Sequence, residues 1–429
     1  MRPFYFLCLI SLLGTCVRAQ VTYFPPENEA NWETTSPTSL GYQADSITAL
    51  YDYLEATQTK GFLLLKDGRI VLEKYFGTFQ QDSVWYWASA GKSLRAALVG
   101  IAQEEGHLSI QDSTSKYLGA GWTSLAPEQE AAITIWHQLT MTAGMNELFF
   151  SCTSPGCLRF VAPAGDRWAY HNSPYSLTKD VLEEATGTTI NAYTNRMIED
   201  KIGMKTGFWW PTGDNTLFLS RVRDAARFGH LILAEGRWEN TTVVGDTSYF
   251  RAMLQPSQAL NQAYGYLWWL NGQDKYMEPA DRTVYSGPIA PAAPNDLVLA
   301  AGKNGQFIGV SQVEGLVMVR MGDSASEDLA PIGYHNAIWE KLSTLRGTTS
   351  TPSLNTLPLT AFPNPTEGTV WLRLPEVGRY AYTIFDGRGR RCQEGFTNGR
   401  VTLDDLAPGA YWLRLQSQDK VYGTRLVKR

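Results

Sequence analysis

The sequence predicts an α+β fold in which helices flank an antiparallel β-sheet and form a helical subdomain, followed by a small C-terminal β-sandwich. Three observations predict it. Strand patterns occur at both ends of a long body, helical patterns lie between them, and a second strand-rich stretch follows a break in composition. The two groups of strands can share one sheet while the intervening helices cover it.

A segment without charge divides the chain into a long body and a short tail. Residues 347–358, GTTSTPSLNTLP, are rich in Ser, Thr and Pro, as is typical of a linker. The 429 residues are 44% hydrophobic and 18% charged, a composition typical of folded domains. The net charge of -5 is mild, so we predict no nucleic-acid partner.

The N-terminal residues have the pattern of a cleavable export signal. Arg2 precedes an apolar run at residues 4–13, and the small residue Ala19 ends the segment. A buried helix and lipid attachment at Cys16 are the alternatives. No later stretch reaches the roughly 20 apolar residues of a membrane span, so we predict no transmembrane segment and a secreted or cell-surface protein exported through the periplasm. The predicted divisions are the signal peptide at 1–19, the body at 20–346, the linker at 347–358 and the tail at 359–429.

The body begins with a β-hairpin and an amphipathic helix. Residues 62–65 and 70–72 are apolar strands separated by a tight Asp-Gly turn. Residues 90–105 place apolar side chains on a single helical stripe, which predicts a helix packed on a core. Residues 220–236 are a further helical pattern, and residues 296–323 alternate apolar stretches with Gly-containing turns, as antiparallel strands do.

Cys152 and Cys157 flank a Pro-Gly turn in the segment SCTSPGC. Such a turn brings the two sulfur atoms together, and an exported protein meets an oxidising compartment. We therefore predict a disulfide. Metal binding by the pair is the alternative, but no further Cys or His pair at ligand spacing accompanies it. We predict neither a metal nor a cofactor.

Ser89 and Lys92 form an S-x-x-K motif at the start of the predicted 90–105 helix. A spacing of three positions along a helix brings the lysine amine next to the serine hydroxyl. A base must lie there to activate a serine nucleophile. The same pattern also begins at Ser113, Ser176 and Ser417. We prefer Ser89 because the aromatic run VWYW precedes it, and a dry helix N-terminus favours a neutral lysine. In the alternative interpretation, Ser89 caps the helix and Lys92 is exposed to solvent.

Two further segments offer other groups for acyl transfer. Tyr170, in the sequence YHN, has a phenol that can relay a proton, and Asn172 has a carboxamide that can hold a substrate amide. Lys303, followed by Asn304 and Gly305, offers a cation on a strand edge beside a glycine that lets substrate approach the backbone. The chain therefore carries S-x-x-K, Y-x-N and K-x-G in that order.

The order and approximate spacing of these motifs resemble those of class C β-lactamases, penicillin-binding D-alanyl carboxypeptidases and the carboxylesterases built on the same scaffold. Residues 139–145, LTMTAGM, look like the family segment LTHTSGL, with Met141 and Ala143 in place of the usual His and Ser. Residues 221–238 resemble its helix and Gly-Arg-Trp turn, and residues 264–269, YGYLWW, resemble its YGYGWW strand. The resemblance implies a β-lactamase/transpeptidase-like fold.

The resemblance also implies a serine hydrolase that forms a covalent acyl-enzyme. Ser89 would attack a carbonyl group while Lys92 and Tyr170 handle its proton. The chain has no G-x-S-x-G elbow and no H-E-x-x-H motif, which argues against an α/β-hydrolase and a zinc hydrolase. The predicted substrate is a small ester or amide. A β-lactam or a D-alanyl peptide at the same site, and a binding protein without turnover, are the alternatives.

Further residues of this predicted site would bind the substrate. The backbone N–H groups of Ser89 and Gln306 would hold the oxyanion. Asn172 and Lys303 would position a substrate amide or carboxylate, and Gly305 would let the substrate approach.

The tail opens with the sequence PNPTEG and contains an LAPGAYW turn that leads into a strand. Alternating apolar residues at 370–374 predict a further strand. These features resemble the sorting domain of cargo of the type IX secretion system of the Bacteroidetes, and imply that secretion machinery as a partner. The alternative is a carbohydrate-binding β-sandwich of an adhesin, whose stacking rings would be Trp371, Tyr411 and Trp412.

Overall fold

The computed structural model divides the chain between Arg346 and Gly347 into two compact units. Each unit contains a hydrophobic core of its own. The residues that it describes are 22–27, 29–149, 151–323, 328–346, 356–374, 378–386, 391–417 and 420–429. The predicted signal peptide at 1–19 and residues 347–355 of the predicted linker lie outside these ranges.

The first unit mixes helices and strands along the described chain. Its helices are α1 (Ala44–Ala56), α2 (Gly91–Glu104), α3 (Ser115–Leu118), α4 (Pro127–Ala131), α5 (Ile135–Leu139), α6 (Asn172–Thr186), α7 (Ile190–Thr194), α8 (Asp200–Ile202), α9 (Val222–Leu233), α10 (Thr247–Met253) and α11 (Ile332–Ser343). Its strands are β1 (Thr59–Lys66), β2 (Arg69–Tyr75), β3 (Trp85–Tyr86), β4 (Phe208–Thr212), β5 (Asn215–Ser220), β6 (Arg237–Trp238), β7 (Thr241–Thr242), β8 (Trp269–Leu270), β9 (Lys275–Tyr276), β10 (Tyr285–Ser286), β11 (Val298–Gly302), β12 (Gln306–Ser311) and β13 (Leu316–Gly322).

The predicted hairpin and the predicted last strands of the body join in one antiparallel sheet. Its strand order is β2, β1, β13, β12, β11 and β8, so strands from the two ends of the body are neighbours. Leu64 of β1 lies between Met318 of β13 and Leu72 of β2. This arrangement confirms the predicted α+β fold.

Helices cover both faces of this sheet, which explains why its strands are continuous apolar runs. On one face, a Cβ atom added at Gly229 of α9 would lie 2.5 Å from Val317 Cγ1 and 3.0 Å from Ile308 Cγ2. Neighbouring strand residues point to opposite faces, and the Phe307 ring lies 5.0 Å from the His335 ring of α11. Each buried aliphatic side chain of this kind stabilises the fold by about 1.5–3 kcal/mol.

Helix α2 confirms the helix predicted at residues 90–105, but it is buried on all sides rather than on one stripe. It packs against both β11 and α6, which places it at the centre of the first unit. Its polar residues Lys92, Ser93 and Arg95 are therefore buried together with its apolar ones.

Two local predictions have different outcomes. The predicted disulfide between Cys152 and Cys157 is present, around a 3-10 turn at Pro155–Cys157. The strand predicted at residues 264–269 is limited to Trp269–Leu270. Leu267 has a φ of 58°, a left-handed conformation that an extended strand does not tolerate.

The second unit is a small β-sandwich, as predicted. Its strands are β14 (Thr356–Pro358), β15 (Thr360–Phe362), β16 (Thr369–Arg373), β17 (Tyr380–Asp386), β18 (Arg391–Thr397), β19 (Arg400–Thr402), β20 (Gly409–Ser417) and β21 (Lys420–Lys428). They form one sheet in the order β14, β21, β20, β17, β18 and another in the order β15, β16, β19. Val370 and Leu372 of β16 point into the core, whereas Trp371 is half exposed on the other face.

The end of the predicted linker differs from the prediction. Residues 356–358 form β14, which pairs in parallel with the first residues of β21. The backbone of this short segment gains strand structure from its distant partner rather than from its own composition. Within the ranges described above, no helix has the length and apolar character that crossing a membrane requires.

Candidate active site

Ser89 lies in a 3-10 turn, Ala88–Ala90, immediately before α2. We call this segment the Ser89 turn. Among the described residues, neither this turn nor the start of α2 receives a side-chain cap. Ser89 Oγ instead lies 2.9 Å from Lys92 Nζ, because one helical turn brings the amine back over the hydroxyl. The Ser89 hydroxyl therefore contacts the Lys92 amine and does not cap the helix.

Lys92 is buried among aromatic rings. Its side chain is 2% exposed, and Nζ lies 4.2 Å from the centre of the Tyr175 ring and 5.3 Å from that of Tyr170. Burial lowers the pKa of Lys92 well below its ordinary value, and the positive charge of Arg95 lowers it further. A neutral amine beside a serine hydroxyl can accept its proton.

Tyr170 is the third member of this group. Its buried side chain is hydrogen-bonded to that of Ser89 and packs against Trp269 and Tyr264. Burial raises the pKa of Tyr170 above its ordinary value, and the bond to Ser89 offsets only part of that rise. The phenol therefore stays protonated at neutral pH, which suits a proton relay better than a phenolate base.

The other S-x-x-K matches place their groups differently. The Lys116 ammonium pairs with Asp112 at 2.8 Å, and that of Lys179 pairs with Asp180 at 2.9 Å and Glu183 at 2.7 Å. These carboxylates hold both lysines in the charged form. The fourth match, Ser417 and Lys420, is not on a helix: the two residues end β20 and begin β21 of the second unit and are paired across that hairpin. Geometry therefore singles out Ser89 and Lys92.

The end of β11 lies against the Ser89 turn. A Cβ atom added at Gly302 would lie 2.4 Å from the Trp87 carbonyl oxygen and 3.0 Å from the Ala90 nitrogen. Lys303 follows directly, in a 3-10 turn between β11 and β12 rather than on a strand edge, and its side chain is exposed. Asn304 of this turn donates a hydrogen bond from Nδ2 to the Tyr86 hydroxyl at 2.6 Å.

Gly305 and Gln306 pack the β11–β12 turn onto β13. A Cβ atom at Gly305 would lie 2.9 Å from Arg320 Nη1, so glycine makes room for that guanidinium. Gln306 donates from Nε2 to the Gly322 carbonyl at 2.6 Å and accepts from the Gly322 N–H at 3.0 Å. The side chain of Gln306 is thus committed to the sheet, and Gly305 has a packing role that its motif does not predict.

Asn172 is the first residue of α6 and lies two residues after Tyr170. Its side chain is buried, and its Oδ1 atom has no hydrogen-bond partner among the residues that the structure describes. A buried acceptor without a partner is unfavourable unless a ligand or water satisfies it. The Oδ1 atom of Asn172 can therefore accept a hydrogen bond that the described residues do not supply.

Strained backbone surrounds the site. Ala88, Met141, Leu267 and Asn304 have positive φ angles of 48°, 60°, 58° and 65°. Such conformations cost about 1–2 kcal/mol each and persist where the surroundings fix them. Leu267, for example, donates from its N–H to the Leu139 carbonyl and accepts from the Ser93 hydroxyl. Its position is the fourth of YGYLWW, where the family pattern has Gly.

Sequence reasoning missed three residues of this site, which are Arg95, Tyr175 and Gly302. Arg95 could have been found as a charged residue one helical turn beyond Lys92 in an otherwise apolar helix. Tyr175 and Gly302 carry no local signal, because their roles come from elements that pack beside α2.

Comparisons with known proteins agree with this architecture. Residues 52–331 match the protein-family model described as Beta-lactamase, and residues 360–429 match the one described as Secretion system C-terminal sorting domain. An uncharacterised protein of Alkalihalophilus pseudofirmus is 22% identical over 244 residues, which cover 48% of this chain and 69% of that protein.

Solved structures share the fold at low sequence identity. A Bacillus anthracis protein provisionally named 6-aminohexanoate-dimer hydrolase has a TM-score of 0.57 at 15% identity, covering 75% of this chain and 89% of that one. A penicillin-binding protein of Bacillus halodurans has a TM-score of 0.51 at 16% identity, covering 68% and 99%. An octameric penicillin-binding protein homologue of Pyrococcus abyssi has a TM-score of 0.50 at 16% identity, covering 90% of each chain.

The two family matches cover different units. The match at residues 360–429 lies in the β-sandwich tail and implies secretion or a cell-surface location. The match at residues 52–331 spans more than half of the chain and includes the Ser89 turn, Tyr170 and the β11–β12 turn. The chain therefore belongs to the beta-lactamase family and carries a secretion-system C-terminal sorting domain.

Proposed function

We propose that the protein is a secreted serine hydrolase that cleaves an ester or an amide through an acyl-enzyme on Ser89. The observation that carries this proposal is the position of the Ser89 hydroxyl, which contacts both the buried Lys92 amine and the buried Tyr170 phenol. A nucleophile, a base and a proton relay within contact of one another are the groups that acyl transfer requires.

In the first step, Ser89 Oγ bonds to the substrate carbonyl carbon while its proton moves to Lys92 Nζ. The carbonyl electron pair moves onto oxygen and gives a tetrahedral intermediate. When it collapses, the bond to the leaving group breaks, and Tyr170 gives its proton to the departing oxygen or nitrogen. The proton on Lys92 then passes to the Tyr170 phenolate, which contacts the same Ser89 side chain, so that both groups regain their starting states. Water then attacks the ester on Ser89 by the same route in reverse.

The oxyanion needs backbone donors, each worth roughly 3 kcal/mol in the transition state. We propose the N–H of Ser89 as one donor. The other belongs to the β11–β12 segment, where Gln306 is the predicted residue. The contact between Gly302 and the Ser89 turn supports this placement, because it brings the end of β11 against the nucleophile.

Asn172 and Lys303 are proposed to position the substrate. The Asn172 carboxamide oxygen can accept a hydrogen bond from a substrate N–H, since no described residue uses it. The exposed Lys303 ammonium can attract a substrate carboxylate from the neighbouring turn. An amide with a nearby carboxylate would use both groups.

The second candidate is a β-lactamase or a D-alanyl peptidase at the same site. The similarity to a penicillin-binding protein from Bacillus halodurans supports it, while the Bacillus anthracis protein named a 6-aminohexanoate-dimer hydrolase supports cleavage of another amide. Export would use the predicted signal at 1–19, followed by type IX machinery that binds the sorting domain.

The proposal is tested with purified protein and a panel of short p-nitrophenyl esters, a cephalosporin and D-alanyl dipeptides. We expect Ser89→Ala to lose turnover of every accepted substrate while its circular dichroism spectrum is unchanged. The matched control is Ser176→Ala, which removes the hydroxyl of another S-x-x-K match that contacts Asn215 at 3.2 Å. Turnover that survives in Ser89→Ala removes Ser89 from the chemistry.

A further inference from the structure

Arg95 is a buried cation one helical turn beyond Lys92. Its side chain is fully buried, and Nη2 donates to the Thr216 hydroxyl at 2.7 Å. Its Nε and Nη1 atoms have no hydrogen-bond partner in the described part of the chain. Among the described residues, no carboxylate oxygen lies within 4.0 Å of an Arg95 nitrogen, which is the distance limit for an ion pair. A charge that is buried with so few partners destabilises the fold. The presence of Arg95 at this position is therefore better explained by a function than by stability.

The surroundings of Arg95 connect it to Lys92. Its guanidinium lies 5.0 Å from the centre of the Tyr175 ring and 4.3 Å from that of Trp209. The Lys92 amine lies 4.2 Å from the same Tyr175 ring. Two basic groups thus share one aromatic ring in an interior where little water screens their repulsion.

Resting on the proposed function, we propose that Arg95 is a positioning residue whose fixed positive charge keeps the Lys92 amine neutral, so that it can take the proton of Ser89. A guanidinium stays protonated under all ordinary conditions, whereas an amine can lose its charge. When the two repel each other in a dry site, the amine is the group that becomes neutral.

The other groups around Lys92 do not supply this charge. Tyr170, before α6, and Tyr175, in α6, face the amine, and burial raises the pKa of both phenols, so they stay neutral. Lys303 is exposed to water on the β11–β12 turn, where its charge is screened. Asp180 and Glu183 of α6 act on Arg95, but Lys179 pairs with both of them.

The test is the pH profile of kcat/KM for a p-nitrophenyl ester, measured on the full chain with wild type, Arg95→Met and Arg95→Lys. The acidic limb of this profile reports the titration of the base in the free enzyme. Without the charge, Lys92 stays protonated to higher pH. We expect Arg95→Met to move the limb upward by about one unit, with near-normal activity above it, and Arg95→Lys, whose amine can itself lose its charge in this dry site, to move it by a smaller amount.

Three results would overturn the inference. A uniform loss of activity in Arg95→Met at every pH would show a structural role only. If Arg95→Met does not fold, Arg95→Gln replaces it. If both neutral variants unfold while Arg95→Lys folds, the charge serves the fold. If a neutral variant folds and the acidic limb of its pH profile does not shift, the charge of Arg95 does not keep Lys92 neutral. Ser89→Ala is measured in parallel, because turnover that does not need Ser89 refutes the proposed function rather than this inference.

Discussion

Gly302 is the residue at which the sheet contacts the Ser89 turn, which carries the proposed nucleophile. A Cβ atom added at Gly302 would lie only 2.4 Å from the Trp87 carbonyl oxygen. Gly302→Ala must therefore push β11 away from the Ser89 turn. Because a displacement of about 1 Å can lower catalysis a hundredfold, we expect kcat/KM for an accepted ester to fall by about tenfold to a hundredfold.

The matched control for that change is Gly309→Ala in β12 of the same sheet. A Cβ atom at Gly309 would meet Leu297 at 3.5 Å and His335 at 3.6 Å, which are ordinary contacts. We expect this variant to keep wild-type kcat/KM. Equal activities of the two variants would show that the contact at Gly302 does not position the nucleophile.

Single residues differ in how well the sequence predicts their place. Ser89, Lys92 and Tyr170 come together as their motifs indicate, because helix geometry fixes the first pair and the family pattern supplies the phenol. Arg95 and Tyr175 were missed, since their effect on the amine depends on the packing of α6 against α2. Such packing between distant segments has no local signature.

Helix α9 packs on the sheet through a glycine. A Cβ atom at Gly229 would lie 2.5 Å from Val317 and 3.0 Å from Ile308, both of which are fixed in strands. Overpacking of this kind costs about 1–3 kcal/mol. We expect Gly229→Ala to lower the free energy of unfolding by that amount, measured by urea denaturation.

Helix α11 provides the matched control on the other face of the sheet. A Cβ atom at Gly333 has no neighbour within 4 Å, and alanine favours helix over glycine by up to about 1 kcal/mol. Gly333→Ala is therefore expected to leave stability unchanged or slightly higher. If both variants lose the same stability, close packing of α9 is not the cause.

The sequence predicts well those elements whose structure depends on residues close by in the chain. The β1–β2 hairpin and α2 follow from a tight turn and from helical spacing of apolar residues, so their existence is local information. Residues 356–358 and 264–268 were predicted wrongly. The first segment is a strand only through pairing with β21, and the second is bent at Leu267 by contacts with α2 and α5.

At the scale of the whole molecule, the stability of the first unit should depend on pH because this unit contains two buried histidines. Burial lowers the pKa of His335 to about 3 and that of His230 to about 4. Both titrate near pH 6.5 once unfolded. Below that pH the unfolded state binds more protons, so the free energy of unfolding falls as pH drops from about 6.5 to 4, by at most about 1.4 kcal/mol per unit for each histidine.

His335→Gln tests this dependence. Glutamine keeps an acceptor for the Trp339 indole N–H, which now bonds His335 Nε2 at 2.9 Å, but it does not titrate. We expect the loss of unfolding free energy between pH 6.5 and 4.5 to shrink by roughly 1–2 kcal/mol in urea denaturation series. The same loss in variant and wild type would contradict the role of His335.

The presence of a separate core in each unit has a practical consequence for the life of the molecule after export. The apolar residues that stabilise the first unit and those that stabilise the sorting domain belong to different clusters. We therefore expect each cluster to stay intact when the two units are separated. Loss of the sorting domain would then leave the first unit folded.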